Sequence, residues 1–524
     1  MISPFGSHRR HSLAACFGSL TLLLIAIFGE VRADDPVEIA LSLHPARIDP
    51  FAAPPRLLPA DPDLKPGNAA VVLNGLMAER QGYWNSWDTI YDDARLPVGD
   101  PRIAATEVAG IIPDMIRAGL IRDADWNHPV REVGANVYLG DMQMVRGLLE
   151  RPLTIWIKQK LAERDLTAAT EGIRTQLACA RHMGNALFFI TAMQAHAVGT
   201  VAIDNLEYLV AQPGCPNLRW SFSVLPPLLF DAPSMLEWHT RLLELSLPRL
   251  KMGIPHDSDL EAWRQIANDY FDLIEDSKNP LAPEKRADLM LRCAPLARER
   301  LVRRGLLSAD AAMVLSPEAA VMRAILDHHA DIGRQMRLAW ALPRSEAIGQ
   351  LAKLDGLAGA WDFGIDSWPL ANGFLKDFLF FEGFSRRTAM LETVESLRHH
   401  AATHDGELPL KLADLEYAAP PDPVSGLPFI YVWGESPTAA TLSMPDIPGV
   451  PDDSQQRRTY KIEMVSPGHF QRVSSSFSCL GSSFLARSPP WFAQTSRRRS
   501  SSRSIRRPSK TTGRRGPSSP RCPT

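Results

Sequence analysis

Apolar side chains recur every three or four residues between residues 68 and 404, a spacing that places them on one face of an α-helix. The clearest example opens with Ser316 and Pro317, a preferred N-cap residue followed by proline at the first helical position. A second example ends at Gly406, a residue type that commonly terminates helices. These patterns predict a mainly α-helical protein. The apolar face of the first helix consists of Val321, Ile325, Ile332 and Met336. That of the second helix consists of Met390, Val394, Leu397 and Ala401.

Residues 158–184 predict two helices joined by a turn at Arg164 and Asp165. The pattern resembles one tetratricopeptide (TPR) hairpin, but we find no second copy at a fixed period. Residues 185–203 carry no charge, yet Gln194 and His196 would be costly inside a membrane, so we expect a buried core helix there. We predict an irregular helical bundle or short superhelix, with one TPR-like hairpin, over residues 67–384.

The pattern changes towards the C-terminus. Short runs of apolar and β-branched residues predict three strands at 429–432, 440–442 and 460–462. Together with the long helix before them, they predict a small α+β terminal module over residues 385–464, a long helix followed by a three-stranded meander. Residues 34–66 are rich in proline and lack periodicity, so we expect an extended segment that runs over the surface.

The N-terminus has the three parts of a secretory signal. Cationic residues at 8–11 precede an uncharged run over 12–29, and Val31 and Ala33 supply small residues before a cleavage point. We predict a signal peptide over residues 1–33 and export to the periplasm or cell envelope. An uncleaved signal would be the only membrane anchor. Cys179, Cys215 and Cys293 are too few for a disulfide scaffold in a body of this size.

The composition is that of a globular protein, with 524 residues of which 45% are hydrophobic and 22% charged. Residues 466–524 contain 12 of the 57 lysines and arginines and no acid, which leaves 45 cations against 59 acids elsewhere. The chain outside residues 466–524 therefore carries a net charge of −14, and we predict that the protein binds no nucleic acid. For residues 465–524, rich in Ser, Arg and Pro, two interpretations stay open: a disordered basic tail, and a frameshift artefact translated out of frame after Met464.

Several short motifs occur in a consistent order between residues 56 and 464. They are RLLP at 56–59, LKPGNAA at 64–70, ACARHMG at 178–184, QPGCPNL at 212–218, LPPL at 225–228 and GELP at 406–409. In this order they resemble a group of uncharacterised exported, helix-rich proteins of planctomycete bacteria. The terminal module is also similar, more loosely, to the meander of type II secretion pseudopilins. The resemblance implies export and this architecture, and it implies no activity because the group has none assigned.

Motifs that mark common enzyme classes are absent from the sequence, including GxSxG, GxGxxG, the Walker loop, HExxH and the EF-hand spacing. We predict no cofactor. One aromatic and acidic cluster has two interpretations. Aromatic rings beside carboxylates can hold sugars, while their spacing of three and four also fits the buried face of an amphipathic helix. The cluster is Trp84, Trp87, Asp88, Tyr91 and Asp92.

A second cluster combines carboxylates with imidazoles. Asp327, His328, His329 and Asp331 could serve as a catalytic base with its orienting acid, or as metal ligands. The alternative is a structural role, in which Asp327 pairs with Arg323 and Asp331 pairs with Arg334 on an exposed helix face. We favour the structural role.

The third cluster is a pair of histidines. His400 and His404 lie one helical turn apart, as paired metal ligands do. A solvated helix end before Gly406 explains the same residues without a metal, and we predict no metal site here.

The function that these patterns predict is a non-catalytic structural or protein-interaction (scaffold) protein of the cell envelope, with protein partners. The alternative is an envelope hydrolase or a carbohydrate-binding or carbohydrate-active protein. Its site would lie around Trp84–Asp93 or His328–Asp331. A deep pocket that gathers a carboxylate with a histidine would favour the enzyme, and a broad apolar groove would favour the interaction protein.

Overall fold

A computed structural model describes residues 37–465 of the chain, apart from short gaps. The gaps are residues 51–52, 54, 80–89, 91, 130–131, 133, 135–136, 138, 187, 275–280, 360–372 and 451–456. The predicted signal peptide therefore lies outside the described residues, as does the predicted tail apart from Val465.

Helices dominate the fold, and a small sheet lies near the C-terminus, which confirms the predicted fold class. The helices are α1 Ala69–Glu79, α2 Pro101–Ala105, α3 Ile112–Gly119, α4 Gly140–Glu150, α5 Pro152–Ala162, α6 Leu166–Gly184, α7 Phe189–Val210, α8 Arg219–Ser223, α9 Ala232–Ser246, α10 Leu260–Ile274, α11 Pro283–Arg303, α12 Ala309–Met313, α13 Pro317–Trp340, α14 Arg344–Gly359 and α15 Phe374–Thr403.

The helix boundaries follow the capping chemistry of the sequence. At the start of α13, the Ser316 hydroxyl accepts the Ala319 N–H at 3.1 Å. At the start of α6, the Asp165 carboxylate accepts the Ala168 N–H at 3.0 Å, and Arg164 takes a left-handed conformation in the preceding turn. The predicted hairpin over residues 158–184 is thus formed by α5 and α6, while its TPR-like character stays a prediction.

The uncharged stretch at 185–203 lies largely within α7, and most of α7 is buried in the protein core. The His196 ring packs between Phe380 and Phe381, with centroid distances of 4.3 and 5.7 Å. Burial, with a smaller effect of the nearby Arg387 charge, lowers the pKa of His196 to about 3. Among the described helices, none is long and apolar enough to cross a membrane.

The terminal sheet has four strands where the sequence predicted three. Strands β4 Ile430–Trp433, β5 Ala439–Ser443 and β6 Arg458–Met464 form the predicted antiparallel meander. A strand from the N-terminal segment, β1 Val37–Leu43, joins β6 in parallel. The spatial order is β1, β6, β5, β4, which leaves β4 at one edge. A separate pair is formed by β2 Lys65–Asn68 and β3 Ile121–Asp123.

The predicted extended segment therefore needs a correction, because its first part is a sheet strand. Leu41 and Leu43 alternate with the exposed residues Ala40 and Ser42, and both leucines are buried in the main hydrophobic core. The predicted boundary between residues 384 and 385 also needs a correction, since both residues lie inside α15. The same core contains residues from β1, from the central helices and from β6. The terminal sheet thus shares one core with the helices.

Helix α15 carries three arginines into the interior, and each meets acceptors from a different part of the chain. The Arg386 Nε donates to the Asp422 Oδ2 at 2.7 Å, and both side chains are fully buried. The Arg387 Nη2 pairs with the Glu207 Oε1 of α7 at 3.0 Å. These ion pairs tie α15 to α7 and to the turn before β4.

The third arginine, Arg398, reaches the segment that follows β1. Its Nη1 pairs with the Glu395 Oε1 at 2.7 Å, and its Nε donates to the His44 carbonyl oxygen at 2.9 Å. On β6, the Tyr460 hydroxyl donates to the Glu207 Oε1 at 2.6 Å. The buried charges of α15 and α7 therefore link the helices to β6 and to the segment that follows β1.

Replacing Arg386 with Met should destabilise the protein by about 3–5 kcal/mol, because it leaves the buried Asp422 carboxylate without its cation. Urea unfolding of the full chain measures the loss. The matched control is Arg303→Met, since Arg303 is 70% exposed and its pair with Glu299 spans 3.7 Å. The control should change the stability by less than about 0.5 kcal/mol. Equal losses in the two variants would contradict the prediction.

Acidification should weaken the fold through His196. Its pKa is about 3 in the folded chain and 6.5 as the ordinary value, so its contribution is present above pH 6.5 and lost as the pH falls towards 3. Between pH 6.5 and pH 4, the free energy of unfolding should therefore fall by about 2–3 kcal/mol less in His196→Leu than in the wild type. Urea unfolding at a series of pH values measures this difference. Parallel stability curves for the two proteins would refute it.

Candidate functional site

A cleft of about 410 Å³ lies between α9 and α13. Helix α9 follows its N-cap residue Asp231, whose carboxylate accepts the Ser234 N–H. The helix presents one polar stripe to the cleft. Helix α13 presents a buried histidine and two arginines. The polar residues that line the cleft are Glu237, Thr240, Arg241 and Glu244 from α9, and His329, Arg334 and Arg337 from α13.

The two helices cross closely because α13 has a glycine at the crossing point. A Cβ atom added to Gly333 would lie 2.3 Å from the Thr240 Cγ2, which is far inside van der Waals contact. The Arg337 Nη1 donates to the Thr240 Oγ1 at 2.7 Å, and this hydroxyl donates to the Glu237 carbonyl oxygen at 2.8 Å. The crossing therefore fixes the Arg337 guanidinium at the cleft.

The cluster predicted at Asp327–Asp331 is divided between two faces of α13. His329 lines the cleft on the α9 side and is 4% exposed. His328 lies towards α11, where its Nδ1 is 3.1 Å from the Arg300 Nη2. Since a guanidinium only donates, this nitrogen accepts and the imidazole is neutral. Burial and the Arg300 charge lower the pKa of His328 to about 4. The two histidines therefore belong to different surroundings.

The two carboxylates of that cluster bind arginines. Arg304 of the α11 end pairs with the Asp327 Oδ2 at 3.2 Å and with the Asp331 Oδ1 at 3.1 Å. The predicted pair between Asp331 and Arg334 is present at 3.2 Å. The predicted pair between Asp327 and Arg323 is wrong, because Arg323 reaches Asp257 instead. Both carboxylates thus hold α11 and α13 together.

The other two predicted clusters contribute no described residue to the lining of the cleft. Trp84, Trp87, Asp88 and Tyr91 lie outside the described residues, while Asp92 is described and exposed. The His400 and His404 rings stack with a centroid distance of 3.8 Å. Burial lowers the pKa of His400, and the neighbouring His404 adds a smaller effect in the same direction. Among the described residues, no group of three or more His, Cys, Asp or Glu side chains could hold a metal ion.

The free edge of the sheet is a second candidate site. On the solvent-facing side, β6 and β5 present Thr459, Lys461, Thr441 and Ser443, whereas β4 presents Ile430 and Val432. Ile430 is 51% exposed and Val432 is 58% exposed. The outer face is therefore polar on the two inner strands of the meander and apolar at the open edge.

Sequence reasoning missed the α9 half of the cleft. Its signal was present, because Glu237, Thr240, Arg241 and Glu244 recur at helical spacing and form one polar stripe. A polar stripe normally indicates a solvated face, so nothing local pointed to a partner helix. Only the crossing at Gly333 turns the stripe into a cleft wall.

No family model, no curated protein and no solved structure matches this chain. The resemblance to the planctomycete group therefore stays a prediction, and the sites rest on their own geometry.

Gly333→Ala should destabilise the protein by about 1–3 kcal/mol, because the new methyl group overlaps Thr240 and forces α9 and α13 apart. Urea unfolding measures the loss. Gly349→Ala in α14 is the matched control, since its Cβ would have no neighbour within 4 Å. The control should gain up to about 1 kcal/mol from helix propensity. Combining Gly333→Ala with Thr240→Gly should recover part of the loss. No loss in the single variant would contradict the described crossing.

Proposed function

We propose that this chain is an exported, non-catalytic interaction protein of the cell envelope, which binds partner proteins by adding one of their strands to the β4 edge. Export is supported by the signal-like pattern at residues 1–33 and by the position of β1, which begins at Val37 soon after the predicted cleavage point. The observation that carries the binding proposal is the chemistry of the β4 edge.

The backbone of β4 supports this proposal. The Gly434 N–H donates to the Ala439 carbonyl oxygen at 2.8 Å. Every second residue before Gly434 therefore also hydrogen-bonds to β5, and the residues between them face the other way. In that alternation Val432 pairs with β5, whereas the N–H and C=O groups of Tyr431 and Trp433 point to the open edge. The edge therefore offers a row of hydrogen-bonding groups to a further strand.

The side chains of β4 favour the same function. Sheet edges are usually protected by charged residues or proline, which prevent pairing with other chains. The four residues of β4 are Ile, Tyr, Val and Trp, without a charge or a proline. Ile430 and Val432 would pack against alternate apolar side chains of an added strand. The occupant that fits is an extended segment with apolar residues at every second position.

Trp433→Pro tests the edge, because proline removes an N–H that points outwards and leaves the ladder to β5 intact. Trp433→Ala is the matched control, since it loses the same side chain and keeps the N–H. Envelope proteins retained on the immobilised full chain should fall at least tenfold with Trp433→Pro and much less with Trp433→Ala. In the retained complex, the Tyr431 and Trp433 amides should gain protection from hydrogen exchange. Equal retention by both variants, or unchanged exchange, would refute the proposal.

A second candidate function, a hydrolase, is favoured by one observation. The α9–α13 cleft brings His329 into one space with Glu237 and Glu244. A histidine and a carboxylate in one cleft are the groups that general acid–base catalysis uses. If the chain is a hydrolase, His329→Gln should lose hydrolytic activity and His328→Gln should keep it, because of these two histidines only His329 lines the cleft.

A further inference from the structure

The α9–α13 cleft holds cations and anions that do not pair with one another. Arg337 donates to the neutral Thr240 hydroxyl, and Arg241 lies over the Trp238 ring at 5.7 Å. Within the described part of the chain, neither arginine has a carboxylate within 4.0 Å, although Glu237 and Glu244 line the same cleft. Arg334 differs from them, because Asp331 neutralises it.

The floor of the cleft is less polar than its walls. Leu243 is 1% exposed, and Leu326 is partly buried beside it. The cavity of about 410 Å³ lies within the size range of sites for small molecules, about 300–1,000 Å³. The cleft therefore combines separated charges of both signs with an apolar floor.

We propose that this cleft binds a small zwitterion with an aliphatic side chain, the chemistry shared by amino acids and short peptides. The ligand carboxylate would accept hydrogen bonds from Arg337 and Arg241, since guanidinium groups bind carboxylates in paired geometry. The ligand ammonium would lie at Glu237 or Glu244, and the side chain would pack on Leu243 and Leu326. This inference is independent of the β4 edge, which lies on another element.

A simple anion fits the cleft less well, because the two glutamates would repel it. A simple cation would meet the two arginines in the same way. A ligand whose opposite charges are separated can bind the arginines and the glutamates at once. The arginines then discriminate against ligands without a carboxylate, and the glutamates against ligands without an ammonium group. The predicted specificity is therefore a requirement for both termini of the ligand.

Isothermal titration of the full chain with L-leucine and with L-leucyl-L-leucine tests the proposal and separates a free amino acid from a peptide. Blocked probes supply the second arm: N-acetyl-L-leucine lacks the ammonium and L-leucinamide lacks the carboxylate. At least one unblocked probe should bind, and its blocked forms should bind at least tenfold more weakly. No binding by either unblocked probe, or equal binding by the blocked forms, would overturn the proposal.

Variants locate the site. Arg337→Gln should weaken binding at least tenfold, while Arg303→Gln on the exposed face of α11 should leave it unchanged. Should Arg337→Gln fail to fold, Arg241→Gln replaces it, because Arg241 is exposed and its loss removes no hydrogen bond of the helix crossing. Binding that survives the loss of a cleft arginine in a folded protein would place the ligand elsewhere and refute the assignment.

Discussion

The guanidinium groups that α15 carries into the interior determine how the rest of the chain is arranged. A charge taken out of water is costly unless it is paired with an opposite charge or with hydrogen-bond acceptors. Arg386, Arg387 and Arg398 find these partners on the turn at Asp422, on α7 and around the segment after β1. Segments that are distant in sequence must therefore meet at one helix.

This requirement sets the position of the terminal sheet and of its β4 edge. Glu207 of α7 accepts from Arg387 and from the Tyr460 hydroxyl of β6, which fixes the sheet against the helices. With β1 on the other side of β6, the edge strands of this sheet, within the described part of the chain, are β1 and β4. The cleft lies at a different contact, where Gly333 lets α13 approach α9.

The sequence predicted the elements better than their contacts. Capping residues such as Ser316 and Asp165 act within one turn, so they mark helix starts reliably. The pairing of β1 with β6 joins residues at the two ends of the described chain, and no local pattern encodes such a partner. The candidate site shows the same limit. His328 and His329 are adjacent in sequence, yet they face α11 and α9 because a helix turns by about 100° per residue.

We infer that the buried charges on α15 make the helices and the terminal sheet one cooperative unit. Native-state hydrogen exchange across a denaturant series tests it most directly, because it reports the opening free energy of each element. The amides of Leu41 in β1, Val394 in α15 and Ile462 in β6 should open with one free energy and one denaturant dependence. Opening of Leu41 and Ile462 at a free energy several kcal/mol below that of Val394 would contradict this cooperativity.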